Sequence, residues 1–148
     1  MSKYGSDRKF LLEFIESNLL ESGYRYADRI RVDQLRTFTY PVYSRNIAVG
    51  KNIYDLERKC HLILFHPRKW ANGLVIEVRW QGVGGTVDEK FPFIVMNIKR
   101  SGLETVIVMG GEKLKPQVFE WVQSQIGYRL VEVFDPTQFQ NWALEGNL

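Results

Sequence analysis

GLVIEVRWQGVGGTVDEK, residues 73–90, combines a strand, a turn and a helix start. In a strand, alternate side chains point to opposite faces. Leu74, Ile76, Val78 and Trp80 then form one apolar row, and Val75, Glu77, Arg79 and Gln81 form the other. A carboxylate, a guanidinium and an amide in one line need a reason, because burying a charge costs several kcal/mol unless it is paired or solvated. Either this row lines a cleft, or partners elsewhere hold Glu77 and Arg79. Gly82, Gly84 and Gly85 end the strand in a flexible turn, and Asp88-Glu89-Lys90 opens a helix.

Towards the N-terminus, the pattern predicts a strand over 53–66 with His61 to Phe65 as its buried part. Pro67 breaks it before Gly73. A further strand is predicted over 35–45, with Pro41 indicating a bulge or an edge. Gly50-Lys51-Asn52 supplies the turn, so three consecutive strands form an antiparallel meander. Residues 7–22 read as a helix that stops at Gly23, with Phe10, Leu11, Phe14, Ile15 and Leu19 as its buried stripe. Towards the C-terminus, 89–101 is a helix with Phe91, Ile94, Val95 and Ile98 at i, i+3, i+4 and i+7, stopped by Gly102. Residues 103–109 are an apolar strand. Pro116 opens a helix with Val118, Phe119, Val122 and Ile126 on one face, and 129–134 is a last strand. The tail from Asp135 is loop or short helix. The order is an α/β arrangement around a mixed sheet, and residues 1–148 suit one domain.

One cysteine, Cys60, excludes an intrachain disulfide and fits a reducing compartment. The start, MSKYGSDRKF, has no apolar signal core, and no apolar run reaches membrane-spanning length, so a cytoplasmic protein is expected. The net charge of +3 hides an asymmetry, since residues 24–70 hold ten Lys and Arg against four acids. Such a block suits a polyanion, with Arg45, Lys51, Arg58 and Lys59 as candidate nucleic-acid contacts. The alternative is that these side chains are simply solvated. The glycine run is not followed by the Gly-Lys-Ser/Thr of a phosphate loop, so no nucleotide cofactor is expected.

The order of elements resembles the core of the PD-(D/E)XK nuclease superfamily, the restriction-endonuclease-like αβββαβ fold with a mixed central sheet flanked by helices. IEVRWQGVGGTVDEKFPFIVMNIK looks like one branch of it, in which an E-X-K-W-Q type strand runs through a Gly/Ser turn into a D-E-K helix start. IYDLERKCHLIL resembles that branch's second strand. The resemblance implies a metal-dependent DNA endonuclease using Mg²⁺ or Mn²⁺, with DNA as partner and a homodimer as the assembly common in this fold. Residue by residue, Glu77 takes the carboxylate position of the motif and Gln81 follows on the same face. Arg79 stands where the lysine belongs, and His61 where the second-strand aspartate belongs. Glu13, or less readily Glu16, is the first-helix glutamate, and Asp88, Glu89 and Lys90 match the helix start.

The exchanges alter the chemistry. Mg²⁺ needs oxygen ligands, which Glu77, the Val78 carbonyl, Glu13 and Asp88 would supply. Imidazole at His61 suits Mn²⁺ better than Mg²⁺. Arg79 cannot act as a neutral base but can stabilise phosphate charge. Lys90 is a substitute for the missing lysine, and Asp88 a better substitute carboxylate than Asp55, which lies roughly 20 Å from His61 along an extended strand. Against this stands a neutralised row in which Arg79 pairs with Glu77 or Glu13 in the former metal position. Three functions follow: an endonuclease with an altered active site, a nuclease-fold protein that binds nucleic acid or protein without cutting, and an interaction subunit whose basic block is incidental.

Overall fold

The chain enters through helix α1 (Asp7–Glu21) in the computed structural model, which describes residues 7–82 and 88–148. Leu11, Ile15 and Leu19 recur every fourth residue, so one face of α1 packs on the sheet. Each such side chain contributes about 1.5–3 kcal/mol on burial. Phe14 flanks this stripe, whereas Phe10, expected within it, is 69% exposed. At 3.6 residues per turn Phe10 points roughly 140° away from Ile15. The buried stripe is therefore narrower than the apolar composition suggests.

The central sheet has the order β1-β2-β5-β6-β7-β8, built from β1 (Arg25–Tyr26), β2 (Val42–Arg45), β5 (Leu62–His66), β6 (Trp70–Trp80), β7 (Thr105–Gly110) and β8 (Leu130–Phe134). Strands β2, β5 and β6 are antiparallel neighbours, as the expected meander requires. Strands β6, β7 and β8 are parallel, and the sheet is mixed. Two predicted strands are shorter than their sequence pattern. Only Val42–Arg45 of 35–45 is strand, because Leu35 closes the short helix α2 (Val32–Leu35) and Pro41 cannot donate to a ladder. The predicted strand over 53–66 is divided. Its first part, β4 (Glu57–Lys59), pairs with β3 (Ala48–Lys51) in a separate two-stranded sheet. The turn falls at 52–56, later than the expected Gly50-Lys51-Asn52, because Gly50 and Lys51 belong to β3 and the Asn52 side-chain Oδ1 accepts from the Tyr54 and Leu56 amides.

The two rows of β6 separate as the alternation requires. Leu74, Ile76 and Val78 pack with Tyr43, Leu62, Leu64, Val106 and Val108, the face covered by α1 and by α5 (Pro136–Trp142). Trp80 lies half-buried at the rim of that cluster. On the other face, α3 (Lys90–Ser101) and α4 (Pro116–Ser124) cover Ile107, Met109, Leu130 and Val133. Phe91, Ile94, Val95 and Ile98 are buried as their spacing predicts, and Gly102 stops α3 with a φ of 75°. Ile126, expected on the packed face of α4, is 44% exposed because the helix ends at Ser124. The β3–β4 hairpin and α2 cover the rest of this face over Ile63, Phe65 and Val75. Glu77 and Arg79 thus emerge between two apolar clusters, beside Ile107 and Met109 of β7. The predicted glycine turn after Gln81 falls largely on residues 83–87, outside the described residues.

Candidate functional site

Glu77 is 2% exposed in the middle of β6, and three elements converge on it. The register of β5 on β6 pairs Leu62 with Ile76, so His61, one step earlier, arrives opposite Glu77. Alternation along Glu57-Arg58-Lys59 leaves Glu57 and Lys59 exposed and turns Arg58 inward. The Arg58 Nη2 donates to Glu77 Oε2 at 3.0 Å. Arg79, two residues on along the same face, brings Nη2 to 3.5 Å from Glu77 Oε1. From the first turn of α1, Arg8 reaches the Nε2 of His61.

The imidazole is built into the sheet, since the Val78 amide donates to His61 Nδ1 at 3.0 Å. That nitrogen lies 3.6 Å from Glu77 Oε1. Burial, then Arg79, Arg8 and Arg58, bring the His61 pKa down to about 3, so the ring is neutral at physiological pH. Burial raises the Glu77 carboxyl above its ordinary value, while Arg79, Arg58 and Arg8 pull it back. Burial lowers the Arg79 guanidinium, and Glu77 counters this. The adjoining Cys60 thiol is pushed up to about 12 by burial and by Glu77. The balance is electropositive, with three guanidiniums around one carboxylate.

The other expected site residues lie apart from this cluster or are engaged elsewhere. Glu13 is exposed on α1. Glu16 accepts from the Tyr43 hydroxyl at 2.8 Å and from Nε and Nη2 of Arg45 at 2.8 and 2.7 Å. Gln81 is buried and donates to Asp88 Oδ1 at 2.9 Å, while Lys115 Nζ donates to Asp88 Oδ2. Lys90 is exposed at the start of α3. Of the candidate nucleic-acid contacts, Arg45 pairs with Glu16, Lys51 with Asp55, and Arg58 with Glu77. Lys59 is exposed. Sequence reasoning missed Arg8 altogether and placed Arg58 on the outer surface. The three residues of β4 are too few for a period to give a signal for Arg58. An arginine in the first turn of a helix gave none for Arg8.

These residues do not fit a divalent cation. Both Glu77 oxygens face guanidiniums, and the Nδ1 lone pair of His61 is used by a backbone amide. Among the described residues, no group of three or more His, Cys, Asp and Glu could hold a metal ion. A dication would enter among positive charges with one carboxylate to meet it.

Neither the curated proteins nor the solved structures returned a match. A family model does match, and with it the mixed sheet flanked by helices is that of the restriction-endonuclease-like fold. Nucleases of this kind generally use divalent metals and act on nucleic acid. The model is that of a PD-(D/E)XK nuclease superfamily domain, it spans residues 5–146, and the chain belongs to that superfamily.

Proposed function

We propose that this chain binds DNA through the Glu77 site and does not hydrolyse it by the divalent-metal route. One observation carries this reading: guanidiniums of Arg58 and Arg79 occupy both oxygens of the carboxylate that would hold the metal. His61 in place of a second carboxylate, kept neutral by its surroundings, supports it further. Arginine is suited to phosphate because its planar fork presents several donors at fixed geometry. Arg8 and Arg79 would contact the backbone, with Lys59 adding charge on the outer side of the hairpin.

The test is plasmid and oligonucleotide DNA with the full chain in Mg²⁺, in Mn²⁺ and in a chelator. The expected result is binding in all three, with affinity falling as salt rises, and no nicking. Cleavage that needs the metal and disappears in Glu77→Gln would overturn the reading in favour of an active endonuclease. Absence of any salt-dependent DNA binding would overturn it in favour of an interaction subunit.

A further inference from the structure

The two ring nitrogens of His61 face a mismatch. The Val78 amide can only donate, so Nδ1 accepts. A neutral imidazole then carries its proton on Nε2. That nitrogen touches the Arg8 guanidinium, which also has only donors to offer. Two donors therefore meet at the first turn of α1. Nearby, Nη1 of Arg58 and Nε of Arg79 are buried with no acceptor among the described residues. The Arg58 side chain is 10% exposed, which leaves little access for water. The single carboxylate already faces a guanidinium at each oxygen. What this group of side chains lacks is negatively charged acceptor oxygen.

We infer that the Glu77 cluster is a metal-free anion site, in which one phosphoryl group bridges Arg8 and the His61 Nε2–H and is also held by Arg79. Arg58 and Glu77 form the fixed floor beneath it. A tetrahedral oxyanion offers separate oxygens to a guanidinium fork and to an imidazole N–H. It also brings the sign of charge that the surplus of guanidiniums calls for, where a dication would add to the surplus. The site coincides with the one in the proposed function but does not depend on it. The phosphoryl group can come from a nucleic-acid backbone or from free phosphate.

The experiment titrates inorganic phosphate into the full chain in a chelator. It reads heat and the His61 ring resonances, and then repeats the titration with a short DNA duplex present. Saturable binding is expected to shift the His61 resonances and to weaken about tenfold or more in Arg8→Gln. Arg8 is exposed, so that variant keeps its fold. Arg100→Gln, at the C-terminal end of α3, removes the same charge from a different ion pair and is expected to leave the affinity unchanged. Absence of phosphate binding, equal loss in both variants, or binding that requires Mg²⁺ would overturn the anion site. The duplex arm separates the two ligand sources. Displacement of phosphate by DNA supports the backbone as the source. Phosphate that binds while DNA does not supports free phosphate, leaves the anion site standing and removes the proposed function alone. DNA that binds where phosphate does not removes the anion site alone.

Discussion

Glu16 and Glu77 are both held by arginine, and they are held differently. Glu16 meets Arg45 through two parallel N–H···O bonds, and the Tyr43 hydroxyl adds a third. Charges there balance one to one, and the Arg45 side chain is 47% exposed. Glu77 is enclosed, answers to more than one guanidinium, and leaves buried N–H groups of Arg58 and Arg79 without an acceptor among the described residues. The first arrangement is complete and ties α1 to β2. The second is in surplus and unfinished. A fold with no use for the Glu77 cluster beyond stability would gain by replacing it with apolar side chains, since a buried ion pair is often no better than a well-packed hydrophobic group. A set of donors short of acceptors is instead what an anionic ligand would complete.

The contrast predicts unequal costs of truncation. Glu77→Ala leaves Arg58 and Arg79 buried without their counter-charge. The expected loss is about 3–5 kcal/mol of unfolding free energy, measured by denaturant titration. Arg45→Ala exposes Glu16 to water on a half-open surface, and its expected cost is about 0.2–1 kcal/mol in the same assay. Equal costs would erase the distinction between the two regions.

A third expected outcome concerns protons. The His61 pKa lies near 3 in the folded chain, against an ordinary 6.5. The unfolded chain therefore takes up the proton first as pH falls. The His61 contribution to stability is fully present above the ordinary value and is lost progressively between there and about 3. Glu77, raised by burial, acts in the opposite sense, so the ring resonances isolate His61 better than total stability does. They are expected to hold steady from pH 8 to 5 in a pH series of NMR spectra. A ring that titrates near 6.5 would mean that the imidazole is open to water and that Arg8 does not press on it.

Much of the fold was legible in the sequence because periodicity records which face is buried. The two rows of β6, the spacing of Phe91, Ile94, Val95 and Ile98, and the stop at Gly102 all follow from local rules. The β3–β4 hairpin was hidden because its strands are too short to show a period, and their pairing depends on the turn at Asn52. The site was half legible. Glu77, Arg79 and His61 come together because the resemblance marked them and the register of β5 on β6 aligns them. Arg58 and Arg8 arrive through tertiary packing, from a separate sheet and from the first helix, and no spacing along the chain encodes that approach. The expected first-helix glutamate illustrates the same limit. Glu13 and Glu16 are three residues apart, yet only Glu16 turns inward, and it meets Arg45 instead of Glu77.

Cys60 gives the enclosed carboxylate a built-in stopwatch. It is the lone sulfhydryl of the chain, is 1% exposed, and immediately precedes His61. With its thiol pushed up to about 12, it holds almost no thiolate, the form that alkylating reagents attack. Modification has to wait until the segment between β4 and β5 lifts away from the sheet. The labelling rate of the native chain therefore counts how often the floor beneath His61 comes open.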